Sequence, residues 1–458
     1  MCTANLLWGM NDQAPTSKFD PGLPHHARPK LRPVRGFPAK MGEQMVLGLA
    51  DQRQISERVV FMAPAVQLIL PLMDGNRTVD QIVAEVGRGL THEMLEGVIA
   101  QLDDAALLFG PRFEELLVKV RKEFDGSAIL PPASTAAFVD AITAQALGES
   151  ASEEDKAAAG PGKLREVMDK WIGEALKDAD EPSFNALPRA VVAPHLDYSR
   201  GWLNYAHVYG RMRVADRPDR VVILGTNHFG FGTGVVACDK GYQTALGTCE
   251  VDAELLEKLK ANLGPDHAAK LLANRYDHER EHSIELHVPW IQHCLGAGPD
   301  GKHCKVLGVL VHDPAVDNGN SYDGQGLALQ AFIDAMKKAI AEVGGRTLIV
   351  SSADLSHAGA AFGDKIQTLA GEEKEAVAFR NKVFQHDRDM IELVRGNKPD
   401  ELVAAMSWQQ NPTRWCSTGN LVATLKLVEP GDIQLLNYTA AMDQQGLGMV
   451  SSMAMVMN

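Results

Sequence analysis

Hydrophobic and polar positions alternate in two different rhythms along this chain. In residues 78–102 the rhythm is helical. Val79, Ile82, Val83 and Val86 fall at i, i+3, i+4 and i+7 behind Thr78-Val-Asp-Gln81, a predicted capping box. Thr91 predicts the cap of a second helix, with Met94, Leu95, Val98, Ile99 and Leu102 as its apolar stripe. Leu68–Leu72 reads as a helix end or strand and Ala105–Phe109 as a strand. From about residue 186 short apolar runs appear instead, at Ala190–Ala193, Val221–Leu224, Val306–Val311 and Leu348–Ser351. Helical patterns separate them, at Val251–Leu263, Ser283–Leu295, Leu327–Val343 and Lys365–Gln385. Such alternation predicts an α/β domain with a mostly parallel central sheet flanked by helices. Its ligands are expected at the carboxyl ends of the strands. The last runs, Ile433–Tyr438 and Val450–Val456, are predicted edge or antiparallel additions.

The two rhythms divide the chain. Residues 1–45, rich in Pro, Arg and Lys, are expected to form an extended N-terminal arm. Its His25-His26 pair reads as solvated loop rather than a metal tract. Residues 46–125 predict a small winged-helix-like domain, and 126–185 a linker with a packing helix. Ala146–Gly162 reads as surface helix plus flexible linker. Within Lys163–Asp180, Leu164, Val167, Met168, Trp171 and Leu176 share one face. Residues 186–458 form the α/β domain.

Composition narrows the function classes. A chain of 458 residues with 45% hydrophobic and 23% charged residues suits a multidomain globular protein. A net charge of −14 argues against nucleic acid or an anionic membrane as the main partner. The second helix of the small domain, Thr91 to Asp104, carries no Lys or Arg for phosphates. Neither a signal peptide nor a membrane-spanning stretch is evident, so a cytoplasmic location is expected. The six cysteines, Cys2, Cys238, Cys249, Cys294, Cys304 and Cys416, are dispersed and predict free thiols.

The candidate chemistry gathers after the strands. Val191-Val-Ala-Pro-His195 ends in a histidine with Asp197 close behind. Arg220-Val-Val-Ile-Leu-Gly-Thr-Asn-His228 and Thr347-Leu-Ile-Val-Ser-Ser-Ala-Asp-Leu-Ser-His357 repeat the form. A sheet collects its strand ends along one edge, and neutral imidazole is a common metal ligand. Cys416, in Asn411-Pro-Thr-Arg-Trp-Cys-Ser-Thr-Gly419, lies near Arg414, and a cation beside a thiol lowers its pKa. His278-Glu-Arg-Glu-His282 matches H-E-x-x-H, but its charged run has nothing apolar to seat a zinc-protease helix. The stretch Glu281 to His287 reads better as a helix start. G-x-G-x-x-G and G-x-S-x-G are absent.

Together these motifs resemble the Memo family, and within it the bacterial AmmeMemoRadiSam system protein B branch. The residues that carry the resemblance are Ala193-Pro-His-Leu-Asp-Tyr-Ser-Arg-Gly201, Ile223-Leu-Gly-Thr-Asn-His228, Glu281-His-Ser-Ile-Glu285, Ser352-Ala-Asp-Leu-Ser-His357, Asn411-Pro-Thr-Arg-Trp-Cys416, Asp443-Gln444 and Ser451-Ser-Met-Ala454. The family is similar in fold to class III extradiol dioxygenases, which hold Fe(II) with two histidines and a glutamate. The resemblance implies metal ligands His195, His228 and Cys416, with His357 beside the metal as a fourth ligand or acid/base. Asp197, Glu281, His282 and Asp354 become pocket residues. A thiolate in place of a carboxylate favours Fe(II) or Cu(I), with Zn as a further candidate.

The small domain's Leu-Met-Asp-Gly-Asn-Arg-Thr-Val-Asp-Gln-Ile pattern (72–82) resembles PqqD-like domains, which grip peptides or partner enzymes. A helical docking domain without a ligand is the other reading. The branch name implies radical-SAM and AMMECR1-type partners. Three functions stay open: a non-haem iron redox enzyme using O2, a non-catalytic Cu(I)/Fe(II)-binding scaffold, and a zinc hydrolase on the same fold.

Overall fold

The computed structural model describes residues 18–87, 89–148, 150–315 and 325–458. Cys2 and the first third of the expected N-terminal arm therefore lie outside the described residues. The chain divides into two compact units, Met1–Gly126 and Ser127–Asn458.

The first unit is built on a three-stranded antiparallel sheet: β1 (Val34–Met41), β2 (Gln44–Asp51) and β3 (Val59–Met62). Residues 34–41, expected in an extended arm, thus pair as a strand. Three helices follow, Val79–Val86, His92–Asp104 and Pro111–Asp125. The capping box at Thr78 and Gln81 is present, and Thr91 caps the second helix through Met94 N. Ile82, Leu95, Val98, Ile99 and Leu102 are buried with Leu47 and Leu49 of the sheet. Two expectations change. Leu68–Leu72 is neither α-helix nor strand but 3-10 turns. Ala105–Phe109 is no strand: Ala106 takes a left-handed φ of 55°, and only Leu108 bridges, to Leu31.

The second unit begins with β4 (Ile129–Leu130) and two helices, Ser134–Leu147 and Glu153–Leu176. The latter takes in residues 153–162 of the stretch expected as surface helix plus flexible linker, with Leu164, Met168 and Ile172 buried further along it. Gly160 makes the approach close, since a Cβ there would lie 2.8 Å from Val139.

The main sheet then assembles from β5 (Ala190–Ala193), β6 (Arg220–Gly225), β7 (Val235–Ala237), β10 (Lys305–Val311), β11 (Thr347–Ser352), β12 (Asp354–Ala358), β13 (Ile433–Met442) and β14 (Met449–Met457). Between them, β8 (Gly241–Thr244) and β9 (Gly247–Cys249) form a small sheet with β4. The strand order is β12-β14-β5-β11-β6-β10-β7, with β13 on β14. The sheet is mixed rather than mostly parallel. β5, β11, β6 and β10 run parallel. β7, β12, β13 and β14 pair antiparallel. The connections explain the difference. A parallel step needs a long crossover, whereas β13 returns into β14 across a short turn. That turn is tied by Asp443, which accepts the Gln445 and Leu447 N–H groups. β13 and β14, expected as edge or antiparallel additions, are antiparallel, and β14 lies in the interior of the sheet, between β12 and β5.

Of the four parallel strands, β5 and β6 are buried throughout and β10 and β11 are buried beyond their first residues, Lys305 and Thr347, which is why they read as largely apolar runs. Their carboxyl ends share one edge, and that edge carries the candidate site.

Candidate metal centre

Three pieces of chain deliver the site. β5 ends at Pro194, and His195 turns in behind it. The Asp354 carboxylate accepts the His195 and Leu196 N–H groups at 3.0 and 3.1 Å and so holds this turn. β6 ends at Gly225 and leads to His228 through Thr226 and Asn227. Cys416 comes from the loop after the helix Pro399–Gln409. In that loop Gln410, Asn411 and Arg414 all take left-handed φ, at 56°, 44° and 60°, which non-glycine residues hold only where their surroundings fix them. Asn411 supplies part of that fixing: its side chain accepts Trp415 N–H and donates to Trp415 O, each at 2.8 Å. Thr226 Oγ1 donates to the Cys416 carbonyl at 2.9 Å, tying the loop to β6.

The ligand atoms of His195, His228 and Cys416 all lie within 4.8 Å of one another. His195 Nε2 is 3.2 Å from Cys416 Sγ, and the His195 and His228 rings are 5.0 Å apart. The other ring edges settle the tautomers. Ser352 Oγ donates to Ser283 O, so its oxygen accepts from His195 Nδ1 at 3.0 Å. Glu281 Oε1 accepts from His228 Nδ1 at 3.0 Å, and Oε2 accepts the His228 N–H at 2.8 Å. His357 Nδ1 donates to two carbonyls, Leu355 O at 3.0 Å and Arg414 O at 3.1 Å. In each ring Nδ1 is committed as a donor, which leaves Nε2 as the lone-pair edge. Outer acceptors of this kind orient metal-binding histidines. Two imidazoles so oriented and one sulfur fit a transition-metal ion, with softness set by the sulfur.

The electrostatics separate the two histidines: His195 is held neutral, whereas His228 carries charge against Glu281 and would give up its Nε2 proton on binding a metal. Burial, then the neighbouring His228, drive the His195 pKa well below its ordinary value. Burial pushes His357 down to about 4. Burial works against charge on His228, yet the Glu281 carboxylate outweighs it and raises its pKa. Reciprocally, burial opposes ionisation of Glu281 but His228 holds it down to about 2. Burial lifts Asp354 to about 7 and raises the Cys416 thiol, against the opposing pull of His228. Arg414 is not the activating cation expected beside Cys416. Its guanidinium pairs with Asp364 Oδ1 at 2.7 Å and donates to His357 O at 3.0 Å.

The remaining expected site residues fall as follows. His282 stacks on His228 with ring centroids 4.8 Å apart, and its Nδ1 is 3.3 Å from Glu281. His357 stands outside the close group yet acts electrostatically on His195. It is not simply past the end of β11: it sits on β12, opposite Val450. Asp197 is half-exposed and ion-paired with Arg200 at 2.5 Å. Burial opposes its ionisation, but Ser199 and Arg200 keep its pKa low, so it stays a carboxylate at neutral pH. The H-E-x-x-H stretch is no single helix. His278 closes a 3-10 turn and bonds Val236 O and Tyr242 OH, whereas His282 opens a different helical turn.

A second group with metal-like spacing, His25, His26 and Asp103, belongs to the first unit. These histidines are not solvated as expected: His26 is buried, and both Nε2 atoms are 3.2 Å from the Asp103 carboxylate. The Asp20 N–H donates to His26 Nδ1 at 3.0 Å, which puts the ring proton on Nε2. The group is a His–Asp contact rather than a lone-pair pocket.

Sequence reasoning missed some supports. Ser283 and Ser352 lay inside the quoted motifs, but only their bonds reveal a role. β10 also ends in a histidine, His312, followed by Asp313, whose pKa burial lifts to about 6. The strand-end pattern was signal enough to have included them.

The Memo-like protein family matches residues 158–456. The chain belongs to the Memo-like family. A MEMO1 family protein from Desulfurococcus amylolyticus is 30% identical over 202 residues, 43% of this chain and 64% of that protein. One from Methanopyrus kandleri is 34% identical over 142 residues, 30% of this chain and 48% of its own length. One from Aquifex aeolicus is 26% identical over 305 residues, 66% of this chain and 69% of its own. The matched stretches thus span about half to two thirds of these Memo relatives. No helix among the described residues is long and apolar enough to cross a membrane.

Proposed function

We propose that this Memo-family chain is a non-haem metal-dependent redox protein of the AmmeMemoRadiSam branch, with its metal held by His195, His228 and Cys416. The observation that carries the reading is the commitment of each histidine Nδ1 as a donor, to Ser352 and to Glu281, beside the Cys416 sulfur. Fe(II) is the metal we favour; bound there, it would supply one-electron and O2 chemistry. Cu(I) and Zn suit the same donors. The extradiol-dioxygenase-like fold goes with this reading, and the four buried parallel strands with ligands at their carboxyl ends support it.

The chain's own groups divide the work. Glu281 orients His228, and Ser352 orients His195. Asp354 fixes the turn that presents His195, and its pKa of about 7 lets it take or give a proton near neutrality. His357 offers an unprotonated Nε2 as proton acceptor, and His282 flanks the pocket. Asp197, with Arg200, lies at the exposed margin. Residues 46–125 are the PqqD-like, winged-helix-like module that would bring in a peptide or a radical-SAM or AMMECR1-type partner.

The test is elemental analysis after anaerobic purification of the wild type and of the His195→Ala and Cys416→Ala variants. One metal per wild-type chain, lost in both variants, is expected. Stoichiometric metal retained by both would remove the assignment. Anomalous scattering at His195 identifies the element. O2 consumption distinguishes an enzyme from a Cu(I) scaffold, and activity restored by Zn2+ but not Fe2+ would point to a hydrolase.

A further inference from the structure

We infer that Asp387, remote from the donor atoms, positions the Cys416 loop and the His357 strand as one unit. Asp387 lies on the helix Lys374–Arg395 and is fully buried. Its carboxylate accepts four hydrogen bonds. Oδ1 takes Trp415 Nε1 at 2.7 Å and Ser356 Oγ at 2.5 Å. Oδ2 takes Tyr438 OH at 2.6 Å and Ser451 Oγ at 2.5 Å.

The sequence positions of two of these donors give the inference its content. Trp415 immediately precedes Cys416, and Ser356 immediately precedes His357. Trp415 Nε1 also reaches Ser356 Oγ at 3.2 Å, so the two donors touch each other as well as the carboxylate. Ser451 Oγ accepts the Ser356 N–H at 2.9 Å, which ties β12 to β14 at the same place. An indole N–H only donates, so Trp415 needs an acceptor once buried, and Asp387 is that acceptor. The loop from Gln410 to Cys416 spends three residues in left-handed φ and requires outside support. Asn411 holds its backbone, Thr226 holds the Cys416 carbonyl, and Asp387 holds the Trp415 ring. Burial, then the Asp387 carboxylate, push the Tyr438 phenol pKa up, as an acceptor beside a phenol must. The four hydrogen bonds of Asp387 go to none of the donor atoms, so its part is to hold the sulfur and His357 in mutual register.

This inference rests on the reading of Cys416 as a metal ligand, and the experiment separates the two. Asp387→Asn and Trp415→Phe are compared with wild type in two measurements. One is the affinity for Co2+, with the intensity of the thiolate-to-cobalt charge-transfer band. The other, made without metal, is the alkylation rate of Cys416 by iodoacetamide, read by peptide mapping. The expected result is a folded protein whose Co2+ affinity falls about 10–100-fold, as for lost outer partners of ligands. The charge-transfer band weakens, and metal-free alkylation shifts several-fold. Tyr438→Phe, which removes a donor on the far side, keeps the wild-type band. A variant that melts earlier but keeps wild-type affinity, band and alkylation rate would overturn the inference and leave Asp387 a structural residue. If Asp387→Asn does not fold, Trp415→Phe decides, since it cuts the same link and leaves the carboxylate three hydroxyl donors. If wild type shows no thiolate band, the metal reading fails, while the alkylation comparison still accepts or rejects the positioning of Cys416.

Discussion

Glu281 sets the charge state of the site. One carboxylate accepts the His228 backbone N–H, the His228 ring and the Ser283 N–H, and against the opposing effect of burial it raises the His228 pKa, helped by Cys416. Replacing it with the isosteric amide in Glu281→Gln keeps the shape and removes the charge. Metal affinity is expected to fall about 10–100-fold, the usual loss when an outer acceptor of a ligand is changed. Titration calorimetry under anaerobic conditions checks this, and an unchanged affinity would show that Glu281 does not support His228. At this scale His195, His228 and Cys416 could be picked from the sequence because they stand at strand ends or between loop-forming residues. Their protonation could not. The neighbours that decide it, Ser352 for His195 and Glu281 for His228, are 157 and 53 residues away. The error over Arg414 has the same origin: adjacency along the chain suggested a cation beside sulfur, but the side chain turns to Asp364.

Among the elements, the segment Glu281-His-Ser-Ile-Glu285 faces two ways. Glu281 looks toward the site. Glu285 looks away, to the helix Ser134–Leu147, which has no capping side chain of its own. Its carboxylate accepts the Ala133, Ser134 and Thr135 N–H groups at 2.9, 3.1 and 2.8 Å, and the Thr135 hydroxyl at 2.5 Å. A charge at a helix N-terminus that also satisfies otherwise unpaired donors is a strong contact. Glu285→Ala is therefore expected to destabilise this unit by about 2–4 kcal/mol, and Glu285→Gln by less. Urea denaturation measures it, and a loss below about 0.5 kcal/mol would reject this helix cap as a stabilising contact. From the sequence the segment read as a helix start with acidic residues, which is right for its first turn. The acceptor role of Glu285 required knowing that residue 135 packs beside it.

For the molecule as a whole, buried neutral histidines set an acid limit. Burial pushes His278 down to about 4 from the ordinary 6.5. The unfolded chain therefore takes up a proton on His278 below about pH 6.5, while the folded chain resists until about pH 4. Over that window the unfolded state binds more protons, so stability rises with pH and is lost as pH falls. The difference of about 2.5 units corresponds to roughly 3 kcal/mol at most. In His278→Gln the slope of stability against pH between 6.5 and 4 should flatten by about one proton. Chemical denaturation at several pH values checks this, and an unchanged slope would show that His278 does not drive the acid loss.

The sequence by itself determined the α/β character of residues 186–458, the positions of the four parallel strands and the histidines, His195 and His228, that follow two of them. It could do so because each rests on local information: a run of buried β-branched residues, a proline that stops it, a histidine that follows. Helix caps at Thr78 and Thr91 are local in the same sense. Tertiary structure alone decided the rest. It made the sheet mixed and placed β14 inside it, because pairing direction depends on where a connection returns. It paired residues 34–41 as a strand and buried His26. It turned scattered polar residues, Ser352, Glu281 and Asp387, into acceptors that orient the histidines and hold the Cys416 loop. A hydrogen bond between residues far apart in sequence leaves no periodic trace in the chain, and only folding brings its two ends together.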